Sequence, residues 1–210
     1  METNRLSALM TFTCGGDLRL TRSQETMLAI IALVTGLVLS SCWGIAAGSS
    51  SASLAAANAI KVPMVVLLSA ITALPAGLVA LRLTNAKLSG GELVSAFATS
   101  IFGGTLVLAT LAPLVAIYYH TSSRAGVPLA LGSVFVALAT ATLLFGRAVA
   151  RRVMQATEGD QKGKRASLFA VVVLVGIFVA ALMQYVALAA PIIGAVGTRF
   201  DGGFDSVFVR

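Results

Sequence analysis

The chain has 210 residues, of which 58% are hydrophobic and only 11% are charged, and its formal net charge is +7. A soluble domain usually carries about 25% charged residues, so this composition excludes an ordinary water-soluble fold and favours a protein that crosses a membrane several times. The basic excess does not indicate nucleic-acid binding, because the positive charges follow the pattern of membrane topology.

The first 26 residues precede every long apolar run and are predicted to form a cytoplasmic or interfacial segment. The first apolar run begins near residue 27, which is too late for a signal peptide with a cleavage site behind it. We therefore expect an uncleaved chain. Cys14 in this head and Cys42 in the first run cannot easily meet, so no disulfide is expected.

Five apolar runs follow, and each reaches or exceeds the roughly 20 residues that cross about 30 Å of hydrocarbon. They predict an all-α fold, a five-helix transmembrane bundle over residues 27–193. The predicted spans are approximately 27–47, 62–81, 93–119, 127–146 and 168–193.

The distribution of basic residues predicts the orientation of this bundle. Of the 15 Lys and Arg residues, eleven fall in the cytoplasmic segments and four outside if the amino terminus is cytoplasmic. Cytoplasmic segments of membrane proteins carry an excess of positive charge. We therefore expect a cytoplasmic amino terminus and an outer carboxyl terminus, with residues 194–210 as an extracytoplasmic tail.

Small residues recur at every fourth position along the predicted spans, most clearly in the first. Such a stripe lets the backbones of two membrane helices approach closely. It could be an interface with another protein, or it could serve ordinary packing among the five spans. A shorter stripe in the fifth span contains Gly176 and Ala180. The predicted packing positions are Gly36, Ser40, Gly44, Gly48, Ser100 and Gly104.

Prolines occur inside three of the predicted spans. Pro63 is expected in the first turn of the second span, where its missing N–H group costs nothing. Pro75, Pro113 and Pro191 are interior to their spans, and each deprives a carbonyl one turn earlier of its hydrogen bond. We expect kinks at these three prolines, which could act as hinges for transport or simply shape the bundle.

Basic residues concentrate in the segment 147–167, between the fourth and fifth spans. Each charge close to an anionic leaflet gains roughly 1 kcal/mol, so lipid anchoring is expected, and a cytoplasmic docking site is the alternative. The predicted headgroup contacts are Arg147, Arg151, Arg152, Lys164 and Arg165.

The tail carries three phenylalanines among glycines and aspartates. Exposed aromatic side chains on such a segment typically find the membrane interface or a partner. The predicted partner contacts are Phe200, Phe204 and Phe208.

No catalytic, cofactor or metal site is predicted. Every acidic residue lies outside the five spans, so no carboxylate is available at membrane depth to couple transport to a proton or sodium ion. His120 is the one histidine, and it lies at the outer boundary without a second ligand close in sequence. We expect a protein that is not an enzyme, with no cofactor and no evident soluble small-molecule substrate.

The stretch AIKVPMVVLLSAITALPAGLVALRL, followed by LSGGELVSAFATSIFGGTLVLATLAPLVAIYYH, resembles bacterial five-span membrane proteins that are similar to the Yip family of Rab-interacting membrane proteins. The shared features are Lys61 and Pro63 opening the second span, the interior Pro75, and Ala112 with Pro113 late in the third. The resemblance implies a five-helix bundle in the cytoplasmic (inner) membrane of a bacterium. The acidic head of the eukaryotic members, with its Asp-Leu-Tyr-Gly-Pro motif, is missing, so Rab partnering is not implied.

These observations favour a non-catalytic accessory or scaffold subunit of a larger membrane protein complex, which acts through helix packing and lipid contacts. Its expected partners are membrane lipids and other integral membrane subunits. One alternative is a Yip-like protein that organises or sorts membrane components as a homo-oligomer. Another is a passive transporter or channel for a neutral or apolar solute.

Overall fold

The computed structural model describes residues 21–83, 88–122, 125–156 and 169–184, together with Thr11 and Thr13. Within these residues the fold is helical and contains no strand. The helices are α1 (Arg22–Ala47), α2 (Ala52–Leu83), α3 (Gly90–Thr121), α4 (Gly126–Ala156) and α5 (Phe169–Gln184).

Four of the five predicted spans are confirmed as helices long and apolar enough to cross a membrane, namely α1 to α4. The fifth predicted span, 168–193, is described only as the shorter α5, whose 16 residues cover about 24 Å at 1.5 Å per residue. The described part of α5 is therefore shorter than the hydrocarbon layer. Several predicted positions lie outside the described residues: Lys164, Arg165, Pro191, Phe200, Phe204 and Phe208.

Capping boxes begin α1 and α3. The Thr21 amide donates to Gln24 Oε1 at 2.9 Å, and the Gln24 amide donates to Thr21 Oγ1 at 3.4 Å. The Ser89 amide donates to Glu92 Oε2 at 2.7 Å, and the Glu92 amide donates back to Ser89 Oγ at 3.3 Å. Because the first amides of a helix have no partner in the helix itself, these exchanges define where both helices start.

The expectation that Pro63 lies in the first turn of its helix is wrong. The helix begins at Ala52, and Pro63 is its twelfth residue. The reason is the alanine-rich segment ahead of Pro63, which has high helix propensity and continues the helix beyond the apolar span. Pro63 and Pro75 are thus both interior to α2, and Pro113 is interior to α3. Each lacks the amide hydrogen that an interior helix position normally donates.

Helix α3 lies at the centre of the bundle, with α1 against one side and α4 against another, while α2 packs mainly on α1. Three phenylalanines join α5 to this arrangement: Phe97 of α3, Phe145 of α4 and Phe178 of α5. The Phe178 ring centroid is 5.0 Å from that of Phe97, edge to face, and 4.7 Å from that of Phe145, stacked. Leu174 also contacts α2 near Gly77, so α5 packs against α2, α3 and α4.

Candidate functional site

The small-residue stripe of α1 lies inside the bundle and is shared by two neighbouring helices. A Cβ atom added to Gly36 would lie 3.1 Å from Thr105 Oγ1 of α3. One added to Gly44 would overlap the carbonyl oxygen of Asn58 in α2 and lie 2.8 Å from its carbonyl carbon, and one added to Gly48 would lie 2.6 Å from the Ala55 amide nitrogen. Real Cβ atoms essentially never come within 3.0 Å of another heavy atom. Helices α1 and α2 therefore meet backbone to backbone.

The remaining predicted packing positions are also buried between helices of this chain. The hydroxyl of Ser40 donates to the Leu37 carbonyl at 2.7 Å, and that of Ser100 donates to the Phe97 carbonyl at 2.8 Å. A Cβ atom added to Gly104 would lie 2.9 Å from the Ala141 side chain of α4. All six positions thus face neighbouring helices of the same chain.

The stripe of α5 has the opposite orientation. A Cβ atom added to Gly176 would meet nothing within 4 Å, and Ala180 one turn later is exposed. Val172 one turn earlier is 63% exposed. The buried face of α5 is formed by other residues, including Leu174 and Phe178. Gly176 and Ala180 of α5 are therefore directed away from the described part of this chain.

Hydroxyl groups in the apolar helices mostly bond within their own helix. Ser69, Thr99 and Thr105 each donate to a backbone carbonyl three or four residues earlier, at 2.7 to 2.9 Å. A side-chain bond between helices joins Trp43 to Ser133, whose Oγ accepts from the indole Nε1 at 3.0 Å, at a buried site. Back-bonding leaves these hydroxyls satisfied without water or ligand.

Asn58 is the exception among the buried side chains of α2. It is only 1% exposed, and neither its Nδ2 nor its Oδ1 atom has a hydrogen-bond partner. Burying such a group unpaired costs about 1–3 kcal/mol. Asn58 lines a cavity of about 110 Å³ to which all five helices contribute, opposite Trp43 of α1, Gly104 of α3 and Ala137 of α4.

Arg152 connects three helices at the opposite end of the bundle from this cavity. Its Nη2 atom lies 2.9 Å from Glu25 Oε1 near the start of α1, and its Nη1 atom donates to the Glu92 carbonyl of α3 at 2.7 Å. Arg152, expected at lipid headgroups, is thus engaged within the protein, while Arg147 and Arg151 are exposed.

A second cavity of about 240 Å³ lies between the starts of α1 and α3, where Arg22, Glu25, Glu92 and Ser95 line it. The Ser95 hydroxyl is buried without a hydrogen-bond partner. In the described part of the chain, no three residues among His, Cys, Asp and Glu come together as a metal site would require. This cavity is a crevice at the starts of the two helices, where Glu25 pairs with Arg152 and Glu92 accepts a hydrogen bond from the Ser89 amide.

Sequence reasoning did not single out Asn58, although one signal was present. Asn58 lies in an alanine-rich stretch ahead of the predicted second span, 62–81, where a polar side chain is not unusual. Once Ala52–Leu83 is one helix, the same amide becomes a polar group on its buried face.

No family model, curated protein or solved structure matches this chain. The resemblance to the Yip family therefore depends on the residues quoted above. The function has to be inferred from the geometry of the chain itself.

Proposed function

We propose that this protein is a non-catalytic accessory or scaffold subunit of a larger membrane protein complex, which acts through helix packing and lipid contacts. The supporting observation is the outward stripe of Gly176 and Ala180 on α5. Lipid tails are as apolar as leucine, so membrane helices associate through close packing rather than through the hydrophobic effect. A small-residue stripe that the described residues of its own chain leave uncovered offers a second membrane helix the closest approach.

The proposed orientation has the amino terminus in the cytoplasm and the carboxyl terminus outside, in the cytoplasmic membrane of a bacterium. It is supported by the clustering of Arg22, Arg82, Arg147 and Arg151 at one end of the bundle. The test is a cysteine or epitope tag at each terminus, labelled from the outer face of intact cells. Labelling of the carboxyl-terminal tag alone supports this orientation, and both tags on one side would contradict it.

The accessory role is tested by purifying the tagged chain from its native membranes in a mild detergent and identifying what accompanies it by quantitative mass spectrometry. Gly176→Leu fills the outward stripe with a bulky side chain. Gly132→Leu is the matched control, because Gly132 on α4 is also exposed with nothing within 4 Å, but its neighbours one turn away are Pro128 and Val136 rather than small residues.

We expect a stoichiometric membrane partner with the wild-type chain and with Gly132→Leu, and its loss with Gly176→Leu. A wild-type chain that purifies alone would contradict the proposal. Retention of the partner by Gly176→Leu would show that the stripe is not the interface. Recovery of a second copy of this chain as the partner would favour the homo-oligomeric organiser instead.

The cavity at Asn58 favours a second candidate, a passive transporter or channel for a neutral or apolar solute. The prolines of α2 and α3 would supply its moving parts, since Pro75 and Pro113 each remove one backbone hydrogen bond from a helix that borders the cavity. Purified protein in liposomes should then show flux of small neutral solutes, and Pro75→Ala or Pro113→Ala should change the rate. Absence of flux across a panel of such solutes would remove this candidate.

A further inference from the structure

We propose that the cavity lined by Trp43 of α1 and Leu138 of α4 is a binding site for a hydrocarbon chain, the end of an acyl chain of a bilayer lipid. The inference does not rest on the accessory role, since a membrane protein can hold a lipid chain with or without a protein partner. It also does not require transport, because a chain that stays attached to its headgroup remains in its own leaflet.

The described wall of the cavity presents almost no polar surface to an occupant. The Thr105 hydroxyl donates to backbone carbonyls of its own helix at 2.9 and 3.0 Å, and Trp43 Nε1 donates to Ser133 Oγ at 3.0 Å. The amide atoms of Asn58 are covered by neighbouring atoms and therefore do not face the cavity. The other described lining residues are aliphatic or glycine. Because a buried water needs two to four polar partners, the wall favours an apolar occupant without a hydrogen-bonding group.

The cavity opens sideways toward the lipid, between α2 and α4. These two helices both border the cavity but make almost no contact with each other. Val62 and Val66 line it from α2, Val134 and Leu138 line it from α4, and all four side chains are only half-buried. An acyl chain therefore has a path from the bilayer that does not pass through water.

The depth and the volume of the cavity suit the end of a chain rather than a lipid headgroup. The cavity reaches Gly104 and Ala141, which lie at the middle of α3 and of α4, and acyl chains end at the middle of a bilayer. Its volume is about 110 Å³, somewhat smaller than the roughly 150 Å³ of an apolar cavity that holds benzene. A few methylene groups therefore fill it.

A lipid chain is favoured over an empty cavity and over a dissolved molecule. The atoms that line an empty cavity lack dispersion contacts on one side, and the end of a chain restores these contacts. The chain moves from one apolar environment to another, so no polar group has to lose its hydration. Acyl chains surround the opening at all times, and a free molecule has to compete with them.

Trp43 reports on the occupant, because it is the single tryptophan of the chain, lines the cavity and is only 2% exposed. The full-length protein is placed in nanodiscs of a phospholipid that carries bromine atoms on its acyl chains, and in nanodiscs of the same lipid without bromine. Bromine quenches tryptophan emission at short range. We expect a loss of Trp43 emission in the brominated lipid.

Two substitutions fill the mouth of the cavity from opposite walls, Val66→Phe on α2 and Val134→Phe on α4. Each should return the Trp43 emission in brominated lipid toward its value in unbrominated lipid, because the chain no longer reaches the indole. The matched controls on the same helices are Val79→Phe and Val136→Phe, at positions that are 58% and 53% exposed and do not line the cavity. Both controls should be quenched as strongly as the wild type. If one filling variant fails to fold, the other decides the question.

Undiminished emission of the wild type in brominated lipid would overturn the proposal. Equal quenching in the wild type and in a folded filling variant would also overturn it, because the bromine atoms would then act from the outer surface of the bundle. A parallel titration in unbrominated lipid uses bromocyclopentane as a free apolar probe. Quenching by this probe without quenching by the brominated lipid would overturn the proposal as well, and would assign the cavity to a free small molecule.

Discussion

The close contact between Gly44 of α1 and the backbone of α2 can be tested by adding a single methyl group at Gly44. Gly44→Ala would place a methyl group over the Asn58 carbonyl oxygen and 2.8 Å from the carbonyl carbon. Backbone atoms inside a helix cannot turn aside as a flexible side chain does, so α1 and α2 must separate. Overpacking of this kind costs about 1–3 kcal/mol, and the better helix propensity of alanine returns about 1 kcal/mol. The difference is a loss of about 0–2 kcal/mol in the free energy of unfolding, and because the contacted atoms belong to the backbone we expect the upper part of that range, about 1–2 kcal/mol.

The measurement is reversible unfolding in mixed micelles at increasing fractions of a denaturing detergent, followed by the emission of Trp43, the neighbour of Gly44. Gly132→Ala is the control, because a Cβ atom there meets nothing within 4 Å. This variant should have the wild-type free energy of unfolding or exceed it by up to about 1 kcal/mol. Wild-type stability in Gly44→Ala would refute the reasoning. An equal loss in both variants would show that the backbone contact is not its cause.

Three further substitutions probe other contacts between helices. Ser133→Ala leaves the buried Nε1 of Trp43 without a hydrogen-bond partner, so the free energy of unfolding should fall by about 1–3 kcal/mol. The fluorescence emission of Trp43 should also shift to shorter wavelength. An unchanged emission spectrum would contradict the hydrogen bond. Arg152→Met removes the ion pair with Glu25 and should lower the free energy of unfolding by about 1 kcal/mol. The loss should be smaller at high salt, because both side chains are partly exposed. Unfolding in detergent at two salt concentrations checks this, with Arg147→Met as the control. Phe178→Ala removes two aromatic pairs worth about 0.5–1.5 kcal/mol each. Protease cleavage beside α5 should therefore increase. Cleavage equal to that of wild type would show that α5 is held by other contacts.

Much of the architecture could be predicted because it depends on local chemistry. Four spans of sufficient length and apolarity are helices, since a backbone in lipid has to bond within its own segment. The spacing of small residues on α1 was also visible. The start of α2 was misplaced, because hydropathy marks where a chain becomes apolar rather than where a helix begins, and the helix starts at Ala52.

The direction in which each helix face points was not predictable from apolarity. On α1 the exposed Ile30, Val34 and Val38 are as hydrophobic as the buried Leu28, because lipid and protein interior attract such side chains about equally. For the same reason the stripe of Gly36 and the outward stripe of α5 look alike in sequence, and only the packed structure separates them.

The sequence by itself determined that this is a helical protein with membrane-spanning segments and basic ends, because hydropathy, helix propensity and capping act within a few turns of chain. The tertiary structure alone decided that Arg152 pairs with Glu25, that Asn58 is buried without a partner, and that the described residues leave Gly176 and Ala180 of α5 uncovered. These features join residues far apart in the chain, and they depend on how closely two backbones can approach, which is a property of the packed helices rather than of any one of them.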